Sequence, residues 1–323
     1  MTYPLRILGV VTAVLTPLNP KGMPNLNQLQ HHIRVLEQDG SNALLIMGTT
    51  GEGPSFSTAE RKVVLEAAIQ AAGKMEVIAQ TGCASLADTI DLTRHAFESG
   101  LEKVTVMPPF FFKGVSDDGL FEFYRQLIDE AVPPEGKLML YHIPQVTQVP
   151  ISFDLVDRLL HAYGDRICGI KDSAGDLDHL KELCRRFPQI SILTGNDHLI
   201  LAALSAGAAG CVTGLVNSFS SLAAGIFRVF CSGNGEADGY QQQLVQVWKV
   251  LHRYQPYTTL LKALAALRYQ DPGWLSVRPP LDPMPMDQLD QMVGELRQID
   301  LPEAYSWIRQ PAPTSLRLSR KEP

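Results

Sequence analysis

The chain is poor in the features that mark several protein classes. Its five cysteines, Cys83, Cys168, Cys184, Cys211 and Cys231, are scattered, odd in number and never spaced as CxxC. That excludes a disulfide framework and a zinc-knuckle pattern, and a reducing cytoplasm is the expected compartment. Basic residues never cluster with aromatics. The net charge of -6 and the sequence pI near 5.8 argue against nucleic acid or an anionic membrane as partner. No apolar run approaches the length of a membrane span. The apolar N-terminal stretch is bracketed by Pro4 and Pro17 and lacks a basic start with a small-residue cleavage site, so no signal peptide is expected. P-loop spacing is missing as well.

What remains is apolar substance. Hydrophobic residues make up 45% of the 323 and charged ones only 19%, enough for one large core or two ordinary ones. Short β-branched runs recur, each followed by a helical pattern. They fall at 10–17, 43–50, 76–82, 103–109, 138–144, 167–173, 191–196 and 209–215. Most are continuous rather than alternating, as parallel strands covered on both faces should be. Ser57 with Glu60 forms a capping box, and Gly40, Gly73, Gly100 and Gly207 stand where helices should stop. Eight strand–helix units predict an α/β fold, a closed (β/α)8 barrel, over 1–220. A doubly wound open sheet is the runner-up. The pattern beyond predicts a helical C-terminal region over 221–305 and a poorly ordered tail over 306–323.

In a barrel of this kind chemistry sits at the C-terminal ends of the strands. Reading those ends yields Thr49 and Thr50, Tyr141, Lys171, then Gly195, Asn196 and Asp197, and finally Val212 and Thr213. Lys171 is the one lysine of the set. Desolvation at the end of an apolar strand favours the free amine, which can condense with a ketone to an imine. The bland alternative is a lysine that emerges to solvent and pairs with Asp172. Tyr141 ends the neighbouring strand, where a phenol could shuttle protons, although a core tyrosine fits equally well. His142 should point the other way, into the helix layer, as a structural residue. "GTTGEGPS" (48–55) is a glycine-rich turn whose amides could hold a carboxylate and whose Thr49 or Thr50 could relay a proton to Tyr141; a plain turn is the alternative. Asp197 could equally cap the following helix. His31 and His32 face different sides of a helix, which disfavours a metal-dependent aldolase.

The ordered set "GTTGEG", "YHIP", "GIKDSAGD", "TGND" and "VRPPLDP" resembles the dihydrodipicolinate synthase / N-acetylneuraminate lyase family of pyruvate-dependent class I aldolases, from about residue 8 to about residue 298. The resemblance implies a barrel with a helical C-terminal region, a homotetramer, no metal or organic cofactor, and substrates in the form of a 2-oxo acid (pyruvate) and an aldehyde. It implies that Lys171 forms the Schiff base and Tyr141 shuttles protons. Thr49 and Thr50 would hold the carboxylate, and the main-chain carbonyl of Val212 would lie near the keto acid. Gly195 would belong to the substrate-binding set, and Asn196, Asp197 and His198 would contact the aldehyde.

Two positions depart from the synthase of the family. Val146 stands where the synthase has an arginine that grips the aldehyde's carboxylate, and valine cannot replace that clamp. "PPFFFKG" (108–114) supplies Phe110, Phe111 and Phe112 where the synthase contributes a relay tyrosine, so a relay must run through Thr50, Tyr141 or water. The expected activity is therefore a lyase acting on a 4-hydroxy-2-oxo acid or a 2-keto-3-deoxy sugar acid. A dihydrodipicolinate synthase with an atypical acceptor site and a non-catalytic keto-acid-binding protein are the alternatives.

Overall fold

In the computed structural model, described for residues 7–233, 235 and 237–310, eight parallel strands close into a barrel. They are β1 (Gly9–Ala13), β2 (Ala43–Ile46), β3 (Glu76–Gln80), β4 (Lys103–Val106), β5 (Lys137–His142), β6 (Ile167–Asp172), β7 (Ser191–Thr194) and β8 (Gly210–Thr213). Each pairs with its neighbour in sequence, and β1 pairs with β8 to complete the ring. All eight expected strands are present, and the open sheet is set aside. The strands stop one to four residues before the apolar runs do, because those last residues leave the ladder to build the loops around the barrel mouth.

The local signals act as their chemistry requires. Ser57 accepts from the Glu60 amide while Glu60 accepts from the Ser57 amide, so both orphan donors of that helix start are satisfied. Gly40, Gly73, Gly100 and Gly207 all take positive φ at helix ends. His32 is buried between Tyr269 Oη at 2.7 Å and Asn217 Oδ1 at 2.9 Å, while His31 is exposed; the two point apart as expected.

Three apolar layers organise the packing. Val11, Ala13, Leu45, Ile78, Met139, Leu193 and Val212 fill the barrel interior. A larger layer lies between the strands and the helices that follow them. A third joins β1 and β8 to the C-terminal helices Val216–Ser232, Ala237–Leu251, Tyr257–Tyr269 and Met286–Leu296. The first of these helices runs through residue 220, with a kink at Phe219. A 3-10 turn, Glu303–Arg309, buries Tyr305 and Ile308 against this layer. The rest of the expected tail, 311–323, lies outside the described residues. Among the described residues no helix is long and apolar enough to cross a membrane.

One irregularity decides which way β6 faces. Leu138 pairs with Ile167, but Met139 pairs with Gly169, so β6 carries one extra residue at Cys168. In a regular strand Ile167, Gly169 and Lys171 would share a face. Ile167 packs outside the barrel, so an unbroken strand would turn Lys171 outward too. The bulge resets the alternation, and Gly169 and Lys171 then follow Met139 and Tyr141 to the inside. Gly169 is needed at this point: a Cβ there would lie 2.5 Å from the Ser191 carbonyl oxygen of β7.

Candidate active site

Lys171 is the penultimate residue of β6 and is 4% exposed. Its Nζ lies 4.0 Å from the centroid of the Tyr141 ring, and the two residues are register partners on adjacent strands. The amine does not emerge to pair with Asp172. That carboxylate lies on the outer face, where it bonds His179 Nδ1 at 3.2 Å and the Ala174 amide at 3.1 Å. The Tyr141 hydroxyl is 3.3 Å from Thr49 Oγ1, so Thr49 rather than Thr50 is the loop hydroxyl within reach of the phenol. Met107, Ile143 and Phe110 pack around Tyr141 and hold the ring in place.

The loop that carries both threonines is pinned from two directions. Met47 and Glu52 take positive φ, and a Cβ on Gly53 would meet the Met47 carbonyl oxygen at 2.0 Å, so the turn can close only around a glycine. Thr16 Oγ1 donates to the Gly51 carbonyl at 2.9 Å. From the far end of the chain, "VRPPLDP" reaches back. The Arg278 amide donates to Glu52 Oε2 at 3.0 Å, and its guanidinium bonds the Ser55 and Gly22 carbonyls and Glu60. Glu52 is buried and ion-paired to Lys262, which also donates to the Ser276 carbonyl at 2.8 Å. Burial pushes the Lys262 amine down while Glu52 pulls it back up. An ion pair this deep holds one geometry rather than adding much net stability.

A cavity of about 530 Å³ opens over Lys171 and Tyr141. Thr49, Thr50, Tyr141, Lys171, Gly195, Asn196, Asp197 and Val212 all line it, so residues from five strand ends converge. Asp197 is buried. Desolvation pushes its carboxyl up to about 6, against the pull of neighbouring hydroxyls and the charge of Lys171. Tyr257 Oη donates to its Oδ2 at 3.3 Å, while Oδ1 is buried without a hydrogen-bond partner. A Cβ on Gly195 would lie 1.9 Å from Ser173 Oγ, so the β7 loop closes onto the β6 loop only without a side chain there.

Reading strand ends missed part of the wall. Gln145 comes from a short helix after β5, and Trp248, His252, Gln255 and Tyr257 come from the C-terminal helical region. No linear signal marks them, since none stands at a strand end. Val146 lines the same cavity and is 55% exposed, and no arginine is among the lining residues. Phe111 and Phe112 are about three-quarters exposed, at 73% and 74%, and meet edge to face.

On the outside of the same strand ends, His142, Asp172 and His179 offer ligand atoms within 4.8 Å of one another. His142 Nδ1 already accepts from the Ile151 amide at 3.0 Å, and both Asp172 oxygens are engaged. The two imidazoles stack at 4.9 Å with 23° between planes, so their in-plane lone pairs run side by side instead of converging on one ion. The cluster braces β5 and β6 against the helix layer, the structural place expected for His142.

The sequence profile of the dihydrodipicolinate synthetase family matches residues 6–299. A DapA-like lyase from Chloroflexus aurantiacus is 40% identical over 283 residues, 87% of this chain and 93% of that protein. A 4-hydroxy-tetrahydrodipicolinate synthase from Halalkalibacterium halodurans is 30% identical over 291 residues, covering 89% and 96%. The crystal structure of an E. coli K12 prophage protein of the dihydrodipicolinic acid synthase family, in complex with pyruvate, shares the fold. Its TM-score is 0.84 at 24% identity, over 92% of this chain and 99% of that one. By profile, by relatives and by its closed barrel, the chain belongs to the dihydrodipicolinate synthetase family and is a carbon–carbon lyase.

Proposed function

We propose that the protein is a class I aldolase that forms or cleaves the C3–C4 bond of a 4-hydroxy-2-oxo acid, 2-keto-3-deoxy sugar acids included, with pyruvate as the three-carbon partner. The observation that carries this reading is the Lys171 amine inside the barrel mouth, 4.0 Å from the Tyr141 ring and buried with it. The amine adds to the C2 carbonyl, and the carbinolamine loses water to give an iminium. In cleavage, a base takes the C4 hydroxyl proton, the C3–C4 pair moves toward the iminium nitrogen, and an aldehyde departs. The enamine left behind is protonated at C3, and water releases pyruvate and the free lysine. Tyr141 is placed to carry these protons, with Thr49 at 3.3 Å as its partner. The amides of the pinned Thr49–Thr50 turn suit the carboxylate, and Gly195, Asn196, Asp197 and Val212 bound the remaining space. The covalent imine stands where other lyases use a cofactor.

Borohydride reduction in the presence of pyruvate should add a reduced pyruvyl group to Lys171, read by peptide mass. No adduct would refute the reading. A second reading, a 4-hydroxy-tetrahydrodipicolinate synthase, draws on the relative of that name. Val146 and the arginine-free lining weigh against it. Condensation of pyruvate with aspartate semialdehyde decides between them: fast turnover supports the synthase, and slow or absent turnover supports the aldolase. Phe111 and Phe112 fit a contact between copies of the chain, as a homotetramer would supply, and light scattering should report a mass above 35.6 kDa.

A further inference from the structure

The outer half of the cavity is built from a part of the chain that no strand end contributes. Three rings form one stack there. His198, in the β7 loop, lies 4.2 Å from Trp248 and tilted 33° to it, and Trp248 lies 4.6 Å from His252 with 21° between planes. All three line the cavity that holds Lys171. His198 and Trp248 are half-buried and His252 is exposed, so the stack runs from inside the mouth to its lip. It is also rigid. Gln241, two turns before Trp248 on the helix Ala237–Leu251, donates to the Asp197 carbonyl at 3.2 Å and accepts from the Leu201 amide at 2.9 Å. One side chain thus fastens this helix to both sides of the β7 loop.

The charge of this half is equally defined. Lys171 is the only lysine lining the cavity, and it is committed to the 2-oxo acid. Burial and the neighbouring His252 push the His198 imidazole down from its ordinary value. The acidic lining residue is Asp197. An aldehyde bearing its own carboxylate would meet the Asp197 carboxyl group and would find no guanidinium or second ammonium to pair with. A ring or flat apolar group, by contrast, gains edge-to-face and offset contacts with the stack. The cavity, at about 530 Å³, is in the range that buries drug-sized ligands and exceeds what pyruvate with a two-carbon aldehyde would fill.

From this we infer that the His198–Trp248–His252 stack is the acceptor-specificity wall of the enzyme, and that the aldehyde it selects is uncharged and carries a ring or other flat apolar group. The inference rests on the Lys171 imine reading above and narrows it, setting the polyol aldehydes of 2-keto-3-deoxy sugar acids aside.

The test is steady-state kinetics with pyruvate and four aldehydes: benzaldehyde, cyclohexanecarboxaldehyde, glycolaldehyde and glyoxylate. Trp248→Ala and Trp248→Phe are compared with the unaltered protein, and borohydride trapping of pyruvate runs in parallel. The expected result is a higher kcat/KM for the two ring aldehydes than for glycolaldehyde, and the lowest value for glyoxylate. In Trp248→Ala the benzaldehyde to glycolaldehyde ratio of kcat/KM should fall about tenfold, through KM, the size of one lost aromatic contact. Trp248→Phe should restore most of that ratio. Adduct formation without any ring preference, or an equal loss for both aldehydes in Trp248→Ala, overturns the wall while the imine reading stands. Preference for glyoxylate overturns the uncharged class. Absence of the adduct in the unaltered protein refutes the imine reading, and the inference with it.

Discussion

Two consecutive rungs of the β5–β6 ladder carry the chemistry-bearing side chains of this barrel, and they meet opposite fates. Tyr141 pairs with Lys171 on one rung, and His142 pairs with Asp172 on the next. The second rung faces the helices. There Asp172 bonds His179 and the Ala174 amide, His142 accepts from the Ile151 amide and stacks on His179, and Phe153 stacks on His179 at 5.0 Å. Burial pushes His142 down to about 4, while the Asp172 hydrogen bond raises His179. The first rung faces a cavity. Its amine rests against a ring face, and its phenol has one long contact to Thr49. Groups of similar acid–base capacity are used up by packing on one face and left free for a substrate on the other. Facing, rather than residue type, separates the site from the brace.

The sharpest way to break this comparison is to remove the inner amine. Lys171→Ala should abolish the borohydride-trapped pyruvate adduct and all turnover, while circular dichroism and Tm stay near those of the unaltered protein. Tyr141→Phe keeps the amine and the ring but removes the proposed proton carrier. It should lower kcat by about 10²- to 10⁴-fold and still allow slow trapping on Lys171. Activity within a factor of two would assign the proton transfer elsewhere.

The outer rung should respond in the opposite manner. Asp172→Ala strips two part-buried hydrogen bonds from a carboxylate acceptor and should cost about 3 kcal/mol of stability, read as a lower midpoint in urea. Lys171 should still trap pyruvate at temperatures where the variant is folded. Loss of trapping in a folded variant would show that the two faces are not separable.

A smaller effect tests Asp197, an inner residue that resembles the outer ones in being buried. Its carboxyl titrates near 6 in the fold and near 3.8 when unfolded. Between those values the unfolded chain has released a proton that the folded one still holds, so stability falls as pH rises from about 4 to 6. Tm of the unaltered protein should fall across that window relative to Asp197→Asn, in which this component of the slope is absent. Identical slopes would mean that the carboxyl is solvated after all.

Much of this arrangement is legible in the amino-acid order, and for a local reason. The apolar runs around Leu44, Leu140 and Ile170, the Ser57–Glu60 cap and the glycines at helix ends depend on neighbours a few residues away. So does the expectation that Tyr141 and His142 face opposite sides. The C-terminal part of the site was not legible. Trp248, His252 and Tyr257 stand in helices whose patterns say only that one face is apolar, and Lys262 looks like any helical lysine until Glu52 is found against it. Tyr257 and Asp197 lie 60 residues apart and Lys262 and Glu52 210, and such partners leave no local trace.

The order of residues by itself determined eight strand–helix units and a lysine and a tyrosine at adjacent strand ends, because periodicity and capping are properties of short segments. Tertiary structure alone decided that Lys171 points inward. The extra residue at Cys168 exists only in the pairing of β6 with β5, and Gly169 is required only because the Ser191 carbonyl of β7 passes so close. A strand's two faces are equivalent until a neighbour's hydrogen bonds set its register, and those bonds come from parts of the chain that meet only when the barrel closes.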